Sequence, residues 1–352
     1  MPAGPTTGVR ILAAIGLGLP TLLACGLIGA PAAQAESVQE FYSKNKLNII
    51  VGVPPGGSYD LNARLVGRLL QKYLPGHPSA VIQNMPGANT TLAANYIHNV
   101  AAQDGTVIGS SSRTMPYATL MGSKGVRYDP LKINWIGSTA GESAFVVSWH
   151  TAPVQTTADL FEKELIVGST DTGGDLFVYP NVLNHVIGTK FKMVMGYRGN
   201  PEISIAMERG EVQGMGSYSA GGLFVEHKDW LKEKKINLLM QLDVARNPDY
   251  PDLPLPTDFA KTEEQRQILQ IFLEMKRFAY PFFVGPNVPA ERVAALRAAM
   301  TQVEDDPEFK AEQVARGREL SPASGEVMTA NIHKSLSLPD AVRDQVRAIM
   351  GQ

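Results

Sequence analysis

Leu47-Asn48-Ile49-Ile50-Val51-Gly52-Val53 runs directly into Pro54-Pro55-Gly56-Gly57-Ser58-Tyr59-Asp60. The first part is almost wholly apolar, as a strand buried on both faces of a parallel sheet must be. The second part is a turn of small residues. After it, Leu61, Leu65, Val66, Leu69 and Leu70 recur at helical spacing, with Ser58 or Asp60 placed to cap the helix. Strand, glycine-rich turn and helix together mark one step of a βαβ chain.

The same unit recurs downstream. Ser79–Asn84 reads as a strand, Met85-Pro86-Gly87-Ala88-Asn89 as a turn, and a helix follows from about Thr90. Thr106–Ser110 is a third strand, ending at Ser111 and Ser112. Strands alternating with helices through short turns predict a doubly wound α/β sheet. A second set of the same kind lies further on: strands at Phe145–Trp149, Leu165–Gly168 and Val212–Ser217, with Phe191–Met195 leading into Tyr197-Arg198-Gly199. Pro180 should start or bend the helix that contains it. Two apolar stretches, Ile133–Gly137 and Ile236–Leu242, read as crossovers between two lobes. The expected division is therefore a leader at residues 1–35, one lobe from 36–134 with 242–352, and a second lobe from 135–241. A chain of this length holds more than one core usually supports.

Export is written at the start of the chain. Arg10 is the sole charge before Glu36, an apolar run spans Ile11–Ile28, and Ala33-Gln34-Ala35 is a small-x-small site. This is the pattern of a secretory signal cleaved before Glu36. Leu22-Leu23-Ala24-Cys25 loosely resembles a lipobox, so a lipid-anchored start at Cys25 is the alternative. Cleavage after Ala35 leaves a chain without cysteine, which excludes disulfides and thiol chemistry. The net charge of −2 gives no electrostatic case for nucleic acid or an anionic membrane.

Candidate chemistry lies in the turns. Gly56, Gly57, Ser58, Tyr59 and Asp60 form one loop, and Pro86, Gly87, Ala88 and Asn89 a second. Ser169, Thr170, Asp171 and Gly173 form a third. Each joins a strand to a helix N-terminus, which offers unpaired amides and about half a positive charge. Loops at the carboxyl ends of parallel strands converge on one crevice, and together these make an anion cradle. Ser110 and Ser111, with Tyr197, Arg198 and Gly199, complete the expected site, Arg198 as a carboxylate partner. No Walker loop, strict G-x-G-x-x-G or G-x-S-x-G elbow is present, and the six histidines are scattered. No metal, cofactor or catalytic residue is expected.

These residues together resemble a family. Val53–Asp60 with Ala63-Arg64, Asn84–Ala88, Asp104-Gly105-Thr106, Val167–Gly174 and Tyr197-Arg198-Gly199 occur in order. They are followed by Gly285–Val293, Asp306-Pro307 and Gly317. The set is similar to the solute receptors of tripartite tricarboxylate transporters, the TctC or Bug proteins. The resemblance implies a two-lobed type II periplasmic-binding-protein fold, each lobe a mixed sheet flanked by helices, with a hinge of two crossover strands. It implies a periplasmic, monomeric receptor for a small organic acid, working with a large and a small integral membrane subunit. The ligand carboxylate would be held by backbone amides of the first two loops, with the residue matching Asp60 taking part. Met85, Asn89 and Thr90 depart from the usual Asn-Arg-Pro-Gly-Ala-Gly-Gly loop, and Tyr59 stands where a small residue is common. Ligand presentation to a sensor kinase and an exported α/β hydrolase are the other roles these residues leave open.

Overall fold

The computed structural model describes Gly8 and residues 36–170 and 172–351; the expected leader, Cys25 and Asp171 lie outside the described residues. From Ser37 onward the elements are α1 (Val38–Lys44), β1 (Leu47–Val51), α2 (Ser58–Tyr73), β2 (Ala80–Asn84), α3 (Thr91–Asn99) and β3 (Val107–Ser110). Next come β4 (Asn134–Ser138), β5 (Ala144–Trp149), α4 (Asp159–Glu162), β6 (Leu165–Gly168), α5 (Asp175–Ile187), β7 (Phe191–Val194), α6 (Asn200–Glu208), β8 (Gly214–Ser219), α7 (Lys228–Lys232) and β9 (Ile236–Leu242). The chain ends with α8 (Glu263–Arg277), β10 (Pro281–Val284), α9 (Ala290–Asp305), α10 (Pro307–Ala315), β11 (Ala323–Ser324), α11 (Gly325–Leu336) and α12 (Asp340–Ile349).

Two mixed sheets result. The first has the order β11-β4-β10-β3-β1-β2 and the second β7-β6-β8-β5-β9. In the first, β1 pairs in parallel with β2 and β3, in register from Leu47↔Ala80 to Val51↔Asn84. β10 runs antiparallel between β3 and β4. In the second, β6 pairs in parallel with β7 and β8, while β5 is antiparallel to β8 and β9. Successive strand side chains point to opposite faces, and β1 shows it. Leu47, Ile49 and Val51 pack with Leu65, Val66 and Leu69 of α2 and Leu296 of α9. Ile50 packs on the other side with Ala93, Ala94 and Ile97 of α3. This two-sided burial is why the stretch carries apolar residues on both faces.

The two stretches expected to cross between lobes are β4 and β9, and each is a strand of one sheet. The chain changes sheet in two short segments that pair with each other. Glu142 N donates to Lys276 O (2.9 Å), Ala279 N to Ala140 O (3.1 Å), and Tyr280 N to Ser138 Oγ (3.1 Å). Residues 243–277, expected with the first lobe, lie against the second sheet's helix α5. Tyr179 Oη donates to Phe272 O (2.7 Å) and Gln265 Nε2 to Val186 O (2.6 Å). The cause is the apolar face of α8, whose Ile268, Phe272 and Met275 bury against Val178, Tyr179 and Val182. Pro180 sits inside α5 rather than at its first turn, and packs where Gly216 of β8 has no side chain. Among the described residues, no helix is long and apolar enough to cross a membrane.

Candidate functional site

The three loops singled out in the sequence, with Tyr197–Gly199 as a fourth, lie at the carboxyl ends of β1, β2, β6 and β7, and open helices α2, α3, α5 and α6. Their N-cap residues are Gly57, Thr90, Gly174 and Gly199, and none supplies a side-chain cap. Helices α1, α8, α10 and α11 are capped by Ser37, Thr262, Asp306 and Ser324. A first helical turn leaves its amides without intrahelical partners. At these four helices the N-cap residue offers those amides no side chain; in α3 the amides of Thr91 and Leu92 donate instead to the carbonyls of Ala88 and Gly87.

The first loop is built around Asp60. Its carboxylate is buried and accepts four hydrogen bonds: from Gly56 N (2.9 Å), Arg64 Nε (2.9 Å), Arg64 Nη2 (3.0 Å) and Asn84 Nδ2 (2.8 Å). Burial opposes its ionisation, but the bonds from Arg64, the Gly56 amide and Asn84 outweigh it and bring the carboxyl down to about 2. A carboxylate has about four lone-pair sites, so none is left for a ligand hydroxyl. Asp60 ties the loop to β2; it does not present itself to the crevice. Gly57 and Ser58 are exposed. No described group accepts from the amides of Gly57, Ser58, Tyr59 or Asp60.

The second loop has an unusual backbone. Ala88, Asn89 and Thr90 follow one another at φ 44°, 47° and 68°. Left-handed backbone costs an ordinary L-residue roughly 1–2 kcal/mol, and for a β-branched residue it is an outlier. The loop is held there by Thr90 Oγ1 against Ser112 Oγ (3.2 Å) and by Asn89 Nδ2 donating to Thr114 Oγ1 (2.9 Å). Thr90 also packs over Gly52, where an added Cβ would come within 2.7 Å of its Cβ. The amides of Gly87, Ala88, Asn89 and Thr90 donate to no described acceptor. Since β1 and β2 are adjacent, the two loops present one patch of free N–H groups.

The third and fourth loops are joined. Ser169 N donates to Val194 O (2.8 Å) and Tyr197 N to Ser169 O (3.1 Å), which continues the β6–β7 ladder past the strand ends. Thr170, Tyr197 and Gly199 are half-buried, and Gly173 and Arg198 exposed. Arg198, expected as the carboxylate partner, has a guanidinium with no hydrogen bond or ion pair among the described residues. Its amide donates to Glu202 (2.8 Å). Ser110 and Ser169, at the ends of β3 and β6, are sealed beneath the loops, and the Oγ of each lacks a hydrogen-bond partner among the described residues. Ser111 is buried beside Ser110.

A charged cluster not foreseen from the sequence links the two sheets. Arg113, just past Ser112, donates to Glu142, and its Nη1 lies 3.3 Å from Asp175 Oδ2 in the first turn of α5. Lys276 Nζ donates to the same Asp175 oxygen (2.9 Å) and to Ser217 Oγ (3.2 Å). Burial opposes ionisation throughout. Asp175 and Glu142 nevertheless hold the Arg113 guanidinium firmly charged, and Arg113 and Lys276 keep the Asp175 carboxyl down to about 2. The Arg113 amide donates to Tyr59 Oη (3.3 Å), which ties the cluster to the first loop. Residues 113, 142, 175 and 276 carry no shared motif; the one local signal was Asp175 in a helix's first turn. Among the described residues no group of His, Cys, Asp and Glu is placed to hold a metal.

No family model matches the chain. By sequence it is 25% identical over 238 residues to a UPF0065 protein of Cupriavidus necator, covering 66% of this chain and 69% of that one. It is 36% identical over 103 residues to the protein BugT of Bordetella pertussis, covering 29% of this chain and 28% of BugT. A solved TctC solute-binding protein from Polaromonas matches 88% of this chain and 99% of its own with a TM-score of 0.68, at 16% identity. The chain has the TctC solute-binding-protein fold. The resemblance read from the motifs thus holds: structural neighbours are TctC and Bug periplasmic binding proteins, and relatives by sequence are UPF0065 and Bug proteins. A TctC-fold neighbour from Rhodopseudomonas palustris, MatC, was solved with bound malate; its TM-score is 0.56 at 18% identity, over 87% of this chain and 99% of that one.

Proposed function

We propose that the chain is a periplasmic solute receptor that captures a small organic carboxylate between its two sheets and delivers it to a transporter with a large and a small membrane subunit. The observation that carries this reading is the patch of amides at Gly57–Asp60 and Gly87–Thr90, for which no described residue supplies an acceptor. Two uncapped helix N-termini beside each other attract an anion without any lysine. The loops at Ser169–Gly174 and Tyr197–Gly199 would close over the ligand's far end. Each sheet with its helices would act as a lobe, and the paired segments 138–143 and 276–281 as the hinge. The malate-bound neighbour supports a carboxylate as the ligand class.

The role is binding, without catalysis. The test is calorimetry on protein unfolded and refolded to strip carried-over ligand. Malate, succinate and adipate are titrated against glucose and an uncharged amide. Saturable binding confined to the acids is expected. Binding of glucose or the amide with the acids silent would overturn the carboxylate assignment.

A further inference from the structure

One nitrogen of the Arg113 guanidinium has no hydrogen-bond acceptor among the described residues. Nη2 donates to Glu142. Nη1 stands at ion-pair distance from Asp175 Oδ2, yet makes no hydrogen bond and is fully buried. The Asp175 oxygen it approaches receives its hydrogen bond from Lys276. A buried guanidinium N–H without an acceptor is costly, so an acceptor brought to Nη1 by a ligand would relieve that cost. Arg113 also stands in the right place to be offered one. It follows Ser110–Ser112 at the carboxyl end of β3, beside β1, and its backbone is bonded to Tyr59 of the first amide loop.

We propose that Arg113 sets the specificity of the crevice, receiving the distal carboxylate of a dicarboxylate whose proximal carboxylate lies on the amides of the first two loops. This rests on the carboxylate-receptor reading above. Glu142 holds the guanidinium through Nη2, which leaves Nη1 for the ligand. Asp175 stays neutralised by Lys276 when Arg113 turns to the ligand. A monocarboxylate of the same length fills the cradle but leaves Nη1 unsatisfied. Exposed Arg198, with no side-chain partner among the described residues to orient it, does not take this role.

The test compares two matched pairs, malate with lactate and adipate with hexanoate, by calorimetry on the wild-type protein and two variants. In whichever pair binds, the wild type favours the diacid. Arg113→Gln weakens the diacid more than tenfold and leaves the monoacid within about threefold. Asp175→Asn removes a competing negative charge at constant shape, and strengthens the diacid several-fold. A merely structural role for the cluster gives the opposite sign in Asp175→Asn, weakening both acids alike, and that result overturns the proposal even where Arg113→Gln does not fold. A wild-type protein that binds diacid and monoacid equally also overturns it, and leaves the receptor reading standing. Failure to bind any carboxylate removes both.

Discussion

Asp60→Ala removes the carboxylate around which the first loop is folded. Four hydrogen bonds go with it. The partners are not stranded: Arg64 has a half-exposed side chain that returns to water, and Asn84 Nδ2 keeps its bond to Val53 O at 2.9 Å. What is lost is the stabilisation of the ionised group itself. The carboxyl is held at about 2 against an ordinary 3.8, and each unit is worth 1.36 kcal/mol, so the loss at neutral pH is about 2 kcal/mol. The sign follows from a depressed acid. Its contribution is complete above the unfolded value near 3.8, and drains away as pH falls toward 2. Urea denaturation at pH 7 should therefore place the variant about 2 kcal/mol below wild type, and at pH 3 the gap should narrow to about half. The loosened loop should also lose carboxylate binding. A gap under about 0.5 kcal/mol at pH 7, or one that does not narrow in acid, would refute the role given to this network.

Gly57→Val places a side chain where nothing lies within 4 Å and φ is an ordinary −77°. Stability should stay within about 0.5 kcal/mol, while calorimetry shows at least a tenfold loss of carboxylate affinity; unchanged affinity would exclude this loop. Gly221→Ala would drive a Cβ into the Gly317 carbonyl, where the segment after β8 meets the end of α10. Overpacking of this kind costs roughly 1–3 kcal/mol, and a denaturation midpoint equal to wild type would contradict the close approach. Glu304 has a buried Oε1 without a hydrogen-bond partner, and burial, with Asp305 beside it, pushes its carboxyl up to about 8. The wild type should lose stability as pH rises from about 4.5 toward 8. Glu304→Gln should abolish that loss and be the more stable protein at pH 8, with little difference at pH 5.

The elements that position the site were legible because they are local. β1, α2, β2 and β3 are each marked by their own period and bounded by their own turn residues, and the amides of the first loop follow from a helix N-terminus that begins on Gly57. The second loop was legible in part: Asn89 and Thr90 in place of glycines signalled an altered loop, and the structure shows that they keep the left-handed backbone a glycine would adopt. The role of Asp60 was not legible, because an acid in a helix's first turn reads equally as a cap or a ligand contact. Its three partner residues decide the matter, and one of them, Asn84, comes from the next strand. The passage between sheets was misplaced because apolarity reports burial, which β4 and β9 share as ordinary strands. The connecting segments carry small residues such as Ala140 and Ala279, whose backbones pair. The Arg113 cluster joins residues more than 160 positions apart, and no periodicity records such a contact.

The account's central claim is that backbone amides of the first two loops hold the ligand's carboxylate. The direct measurement is an amide-resolved NMR titration of the stripped protein with the acid that calorimetry finds to bind. Saturable shifts centred on Gly57, Ser58, Tyr59, Ala88, Asn89 and Thr90, with slowed hydrogen exchange at the same amides, are predicted. Tight binding that leaves these amides unmoved would contradict the claim and place the carboxylate elsewhere in the crevice.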